Sequence, residues 1–305
     1  MPAAVPPLTY TGRFAPSPTG ELHFGSLIAA VASYLQARAQ GGRWLLRIED
    51  IDPPREQACA DRKIVETLAA YGFEWDGPVI YQSRRRERHE AVIQELLERD
   101  LAYRCSCTRR DLADCPRGPL GAIYPGTCRT GCQAGPAAIR VRTGDEPVEF
   151  TDRLQGRQLH RLQSESGDFV IRRRDGLIAY QLAVAVDDTD DRVTEVVRGI
   201  DLLASTPRQV YLQGLLGYAR PGYAHIPVIE SSEGQKLSKS TGARPIPADR
   251  PRLTLVAALK ALQQRPEPGL ESAELADIWA WATEHWCLDA LAGIRNIALQ
   301  HYCFD

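Results

Sequence analysis

The chain has 305 residues, enough for about two domains and a large core. Lysine and arginine total 37 against 39 aspartate and glutamate, a balance of −2, which excludes a polycation but not a basic face within a neutral total. With 44% hydrophobic and 25% charged residues, global disorder is excluded. No apolar run approaches the roughly 18 residues of a membrane helix. The opening MPAAVPPLTY lacks the basic and apolar regions of a signal peptide, so a cytoplasmic location is expected.

In chain order, 11–18 reads as a short strand entering a loop, with Pro16 and Pro18 stopping regular structure. Leu27, Ile28, Val31, Tyr34 and Leu35 have helical spacing and predict a helix over 27–38, ended by Gly41 and Gly42. A buried strand is expected at 44–48, and helices with charged outer faces at 61–71 and 84–99. Strand, helix and strand in that order predict a parallel sheet with right-handed crossovers. Near Tyr103 the composition changes, and 105–137 is rich in Cys, Gly, Pro and Arg with little periodicity. Short strands are expected at 138–142, 148–151 and 168–172, followed by an apolar run at 179–186. A core strand at 193–197 and a helix at 206–216 come next, then a loop at 227–247. From Arg252 the pattern is helical, through Leu255, Ala258, Leu259 and Leu262, then Leu275, Ile278, Trp279, Ala282 and Trp286.

Five of the eight cysteines (59, 105, 107, 115, 128, 132, 287 and 303) fall between 105 and 132. Without a secretion signal, such clustering argues for a metal rather than disulfides. By chemistry alone, four thiols suit zinc: Cys105, Cys107, Cys128 and Cys132. Two loops suit phosphate. Residues 13–26 open onto a helix N-terminus, where free N–H groups and the dipole favour anions. There His23 can donate to a phosphate and Gly25 lets a flat base approach the backbone. The alternative is a Pro/Gly turn capped by Ser26. Lys236, Leu237, Ser238, Lys239 and Ser240 make either a cationic clamp for a polyphosphate or a solvated charged loop.

Taken together, these loops resemble the two signatures of class I aminoacyl-tRNA synthetases. His23 and Gly25 match the first signature, with Phe24 and Ser26 replacing its second and fourth positions; the second signature differs only by Leu237 for Met. With Arg13-Phe14-Ala15-Pro16-Ser17 and Leu46-Arg47-Ile48-Glu49-Asp50, the chain is similar to the glutamyl/glutaminyl subgroup over residues 8–245. The resemblance implies an α/β fold: a Rossmann-like parallel sheet with an inserted zinc-bearing subdomain and a short helical C-terminal tail. The implied division is 1–102 and 179–248 for the catalytic halves, 103–178 for the insertion and 249–305 for the tail. It also implies an L-glutamate pocket of Arg13, Phe14, Ala15, Pro16, Ser17, Glu49, Tyr180 and Arg198. ATP, with Mg²⁺, would meet His23, Gly25, Ser26 and residues 236–240, with His23, Lys236 and Lys239 catalytic.

A short subgroup of the family carries Cys-x-Cys and then Tyr-x-x-x-Cys. That pattern implies one structural Zn²⁺ on Cys105, Cys107, Tyr124 and Cys128, with Cys132 or Cys115 as alternative fourth ligands. Only 65 residues follow Ser240, short of an anticodon-binding domain of about 100 residues. The resemblance to this truncated subgroup implies that the chain activates glutamate without tRNA and transfers it to queuosine in the anticodon stem-loop of tRNA(Asp); a monomer is expected. Two alternatives stay open: a 3′-end glutamyl-tRNA synthetase without an anticodon domain, and a non-catalytic zinc-stabilised RNA-binding paralogue. For RNA contact, the best candidates are Arg109, Arg110, Arg117 and Arg129 in the metal-stapled segment.

Overall fold

The computed structural model describes residues 9–230 and 244–298. The chain enters through β1 (Thr11–Phe14), α1 (Phe24–Ala39) and β2 (Arg43–Ile48). Next come α2 (Ala60–Ala70), β3 (Ile80–Tyr81) and α3 (Arg86–Glu98). β2 pairs in parallel with both β1 and β3. α1 begins at Phe24, three residues before the expected start, because His23 already caps it. Its sequence is apolar on nearly every side, and it is buried accordingly between the strands and the C-terminal helices.

The middle of the chain forms β4 (Ala102–Cys105), β5 (Arg117–Gly118), β6 (Gly121–Ala122) and β7 (Ala138–Val141). A hairpin of β8 (Val148–Asp152) and β9 (Gly156–His160), the one-turn α4 (Leu162–Glu165) and β10 (Val170–Arg172) follow. β10, β7 and β4 make an antiparallel sheet that shares one apolar cluster with α3 and the next two helices. Those helices are α5 (Tyr180–Asp190), which is the apolar run, and α6 (Thr206–Leu216), with β11 (Glu195–Gly199) between them. β12 (Gly222–Ile226) pairs in parallel with β11 and carries β8 and β9 on its far side. Thus β8 and β9, from the segment expected as an insertion, extend the β11–β12 sheet.

β1 meets β11 through Thr194, whose N–H donates to the Thr11 carbonyl at 2.9 Å while its Oγ1 accepts the Thr11 N–H at 2.9 Å. β1 therefore lies between β2 and β11. The chain leaves it to one side through α1 and returns on the other much later. Ligands of open α/β sheets collect at such a reversal, beyond the carboxyl ends of the strands.

Two expectations change in the last part of the chain. The 227–247 loop begins with β13 (Val228–Glu230). After α7 (Pro251–Ala261) and α8 (Leu275–Glu284), the tail ends its described part as a strand, β14 (Asn296–Ala298), parallel to β13. Three-residue strands carry too little alternation to be read locally, and this pairing joins segments far apart in sequence. Among the described residues, no helix is long and apolar enough to cross a membrane.

α8 is fastened to the first half of the fold by Trp279. Its ring stands edge-on to Tyr34 at 4.7 Å and Phe73 at 4.8 Å, and its Nε1–H donates to the Tyr71 carbonyl at 2.9 Å. Trp279→Ala should lower stability by about 3–5 kcal/mol, because a large ring and a satisfied donor leave the core together. Urea unfolding followed by far-UV circular dichroism measures this; a loss below about 1 kcal/mol would mean that α8 is only loosely docked.

Candidate active site

A cleft of about 730 Å³ opens at the β1–β11 junction. It is bounded by the carboxyl ends of β1, β2 and β11 and by the N-terminus of α1, and Phe14, Ala15, Pro16, Ser17, Gly25 and Ser26 line it. The Glu49 N–H donates to the Pro16 carbonyl at 3.0 Å, tying the first loop to the end of β2. His23 is the helix cap in place of the expected Ser26: its Nδ1 accepts the Ser26 N–H at 3.4 Å. The ring proton of neutral His23 therefore sits on Nε2. Lys236, Leu237, Ser238, Lys239 and Ser240 lie outside the described residues. Both flanks of that segment reach the cleft. Val228 and Ile229 line it, Pro245 bridges to His23, and the Ile246 N–H donates to the Leu22 carbonyl at 2.9 Å.

The floor of the cleft is a buried charge network. Arg13 forks onto Asp188 of α5 at 3.1 and 3.4 Å. Arg47 donates to the same carboxylate at 2.7 Å and to Asp191 at 3.0 Å. Burial alone would raise the pKa of Asp188, but the two guanidinium groups more than offset it and hold it below the usual carboxylate range. Glu49 lies 3.5 Å from Arg47 Nη2, yet its Oε1 is buried without a hydrogen-bond partner. Burial pushes Glu49 up to about 7, against the opposing pull of Arg47 and Arg13. A carboxylate so placed gains most from a ligand cation that restores its lost hydration.

Across the cleft stands Arg198 of β11, buried at 5% exposure. It donates to Thr206 Oγ1 and Gln209 Oε1 at 2.8 Å, to His225 Nε2 at 3.1 Å and to Tyr180 OH at 3.4 Å. All four partners are neutral groups. Burial holds His225 down to about 4 although Asp152, 2.5 Å from Nδ1, pulls it upward, so the ring is uncharged at neutral pH. A buried guanidinium with neutral partners is a receptor for an anion, and its planar fork suits a carboxylate.

About the cysteines the structure is specific. The sulfurs of Cys105, Cys107 and Cys128 all lie within 4.8 Å of one another, with Cys107 and Cys128 3.6 Å apart. The Tyr124 hydroxyl sits 3.3 Å from Cys105 Sγ and 3.7 Å from Cys107 Sγ. Tetrahedral zinc with bonds of about 2.3 Å has corners roughly 3.8 Å apart, so this S₃O set fits the ion. Cys132 packs beside the cluster without joining the three sulfurs, and Cys115 stands apart from it. Gly167 secures the tyrosine: at φ +63°, a Cβ there would lie 2.3 Å from the Tyr124 carbonyl oxygen. Of the arginines in this segment, Arg109, Arg110 and Arg117 are exposed. Arg129 is instead engaged with Asp168 through Nε at 2.7 Å.

Sequence reasoning passed over Asp188, Arg47, Asp152, His225, Thr206 and Gln209. A signal existed for some of them. Arg47 interrupts the apolar strand Trp44-Leu45-Leu46, and Asp187-Asp188 closes an apolar helix at its negative dipole end, where carboxylates need a strong reason to sit.

Residues 10–120 and 123–256 match the family model described as tRNA synthetases class I (E and Q), catalytic domain. A protein named Glutamyl-Q tRNA(Asp) synthetase from Dechloromonas aromatica (strain RCB) is 52% identical over 287 residues, covering 92% of this chain and 95% of the relative. One of the same name from Ectopseudomonas mendocina (strain ymp) is 54% identical over 290 residues, covering 95% and 97%. The crystal structure of the glutamate-tRNA synthetase from Elizabethkingia anophelis superposes with a TM-score of 0.79 at 24% identity, over 95% of this chain and 68% of that one. That likeness concerns the fold.

An amino-acid ligand whose ammonium meets Glu49 should bind more weakly as pH falls through about 7, because protonation removes the anion it needs. Up to a tenfold loss per pH unit is expected below that point. Glu49→Gln should cost about 2 kcal/mol, roughly thirtyfold in affinity, and should flatten this profile. Calorimetric titration between about pH 6 and 8 tests both; an unchanged slope in the variant would remove Glu49 from ammonium recognition.

Proposed function

The chain belongs to the class I tRNA synthetases of the glutamate and glutamine type, a family of ligase-type enzymes, and from that membership we propose that it activates L-glutamate with ATP and passes it to queuosine in the anticodon of tRNA(Asp). The observation that carries the amino-acid part is Arg198: a buried guanidinium with four neutral partners, lining the same cleft as the carboxylate residue Glu49. A ligand that satisfies both carries a carboxylate and an ammonium. Arg13, on the same cleft, supports a second carboxylate. Phe14, Ala15, Pro16, Ser17 and Tyr180 enclose the chain between them.

In the first step an α-carboxylate oxygen of glutamate attacks the α-phosphorus of ATP, and pyrophosphate leaves. Its charge is carried by His23, at the positive end of α1, and by Lys236 and Lys239. Gly25, Ser26, Leu237, Ser238 and Ser240 complete the nucleotide site. Mg²⁺ bound with ATP supplies further neutralisation of the phosphates. In the second step a hydroxyl of the queuosine ring attacks the carbonyl carbon of the adenylate, and AMP leaves. The enzyme works by positioning and electrostatics, without a covalent enzyme intermediate.

The queuosine acceptor is supported by the names of the relatives, which align over 95% and 97% of their own lengths. Cys105, Cys107, Tyr124 and Cys128 would hold one Zn²⁺ in a closed shell, stiffening the segment that presents Arg109, Arg110 and Arg117 to RNA. A path from that segment to the cleft runs along neighbouring arginines. Arg174 contacts the Ser106 carbonyl at 3.5 Å, and Arg173 pairs with Asp52 at 3.1 Å beside the Pro53–Arg55 turn at the cleft rim. The protein acts in the cytoplasm as a monomer, with 1–102 and 179–248 as the catalytic halves, 103–178 as the insertion and 249–305 as the tail.

Glutamate, and neither glutamine nor aspartate, should drive exchange between ATP and pyrophosphate without tRNA. Labelled glutamate should then pass to tRNA(Asp) bearing queuosine, even when the 3′-terminal adenosine is removed. Exchange that requires tRNA, or labelling that disappears with that adenosine, would instead make this a 3′-end synthetase.

Metal analysis should find one zinc per chain. Chelation should lower thermal stability and RNA transfer more than adenylation, since the cluster lies outside the cleft lining. Tyr124→Phe should weaken zinc retention while Cys132→Ser leaves it intact. Retention unaffected by Tyr124→Phe would take the hydroxyl out of the ligand set.

A further inference from the structure

The buried triad behind Arg198 has a defined proton arrangement. A guanidinium cannot accept a hydrogen bond, so His225 Nε2, 3.1 Å from Arg198 Nε, presents a lone pair. A carboxylate accepts, so His225 Nδ1, 2.5 Å from Asp152 Oδ2, carries the proton. Asp152 is itself held by backbone. Its Oδ1 accepts the N–H groups of Leu154 at 3.0 Å, Gln155 at 2.9 Å and His225 at 3.2 Å. Both Asp152 and His225 are almost completely buried, at 1% and 0% exposure. They come from β8 and β12, neighbouring strands that meet at Tyr223 and Asp152. Neither residue lines the cleft.

We propose that Asp152 and His225 are positioning residues: Asp152 locks the His225 tautomer, and the Nε2 lone pair then aims the Arg198 fork at the substrate carboxylate. The lock matters because Arg198 has no carboxylate among its four partners to hold it. Thr206, Gln209 and Tyr180 fix the Nη atoms, but among the described residues only His225, whose Nε2 also lies 3.1 Å from Thr206 Oγ1, holds the Nε edge and so sets the rotation of the guanidinium plane. The arrangement also keeps the acidic member, Asp152, one ring away. Arg198 thus keeps its full charge for the ligand, which is what lets the pocket separate glutamate from the uncharged amide of glutamine. This inference rests on the glutamate reading given above.

Asp152→Asn is the decisive variant, because it keeps the Oδ1 acceptor for the three backbone N–H groups but offers a donor to Nδ1. The ring should then flip to the Nε2–H tautomer and set a donor against Arg198. The KM for glutamate should rise roughly tenfold or more, and selectivity over glutamine should fall, while the KM for ATP stays unchanged. In a His225→Gln background, whose Oε1 accepts from Arg198 whatever Asp152 does, adding Asp152→Asn should have little further effect. In the unaltered protein, ¹⁵N shifts of the histidine ring should show His225 neutral with its proton on Nδ1.

A proton on Nε2, or an Asp152→Asn enzyme with unchanged glutamate KM and selectivity, would overturn the proposal. Equal losses for glutamate and ATP would do so too, since they indicate general damage. If the Asn variant does not fold, the ring shifts and His225→Gln against His225→Asn still decide. Only the Gln side chain places an acceptor where Nε2 was, so equal glutamate KM values for the two would also overturn it. Absence of glutamate-dependent exchange in the unaltered enzyme would overturn the functional reading instead, and the ring shifts would still test the lock.

Discussion

Two arginines, Arg13 from β1 and Arg47 from β2, converge on one carboxylate, Asp188 of α5, and all three are almost completely buried. Removing three charges from water costs far more than one pair returns, so such a cluster persists only when nearly every member is matched. Asp191 takes the second arm of Arg47, and Asp187 receives Gln82 at 2.7 Å and His89 at 2.9 Å. Losing any one partner strands the others, at a cost of about 3–5 kcal/mol for a buried pair. The network bolts β1, β2 and α5 together directly beneath the cleft. It also explains why α5, apolar for most of its length, ends in acids that its own dipole disfavours.

That bolt leaves the two sides of the cleft in different electrostatic states. On the β1–β2 side Arg13 and Arg47 share the single Asp188 carboxylate, and Glu49 is a carboxylate with an oxygen short of a hydrogen bond. On the β11 side Arg198 is held by neutral hydroxyl, amide and imidazole groups. A ligand with opposite charges at its two ends completes both sides at once. The separation depends on β1 and β11 being neighbours that diverge, joined at Thr194 and open above it.

The cysteine cluster is built on different terms. Its three sulfurs and the Tyr124 hydroxyl come from β4, the turn after it and a poorly regular stretch with few apolar residues to pack. Arg140 lies over the Tyr124 ring at 3.9 Å, and its Nε reaches Cys105 Sγ at 3.3 Å. A set of donors this close, in a segment with so small a core, is one that could hold a metal ion.

Much of this was legible in the chain itself. Helical spacing found α1 from within one turn of its start, and α6 end to end, because long apolar periodicities report the face a helix buries. The motif residues Arg13, His23, Glu49 and Arg198 could be named because the chain resembles a family whose motifs place residues of these types at these positions. Chemistry alone offered Cys132 beside Cys105, Cys107 and Cys128, whereas the folded positions put the Tyr124 hydroxyl against the sulfurs of Cys105 and Cys107. β13 and β14, the Asp188 network and the Asp152–His225–Arg198 triad are likewise tertiary facts. Each joins residues separated by 27 to 175 positions. A buried charge is matched by whatever the fold brings within about 3 Å of it, and sequence spacing carries no record of that distance.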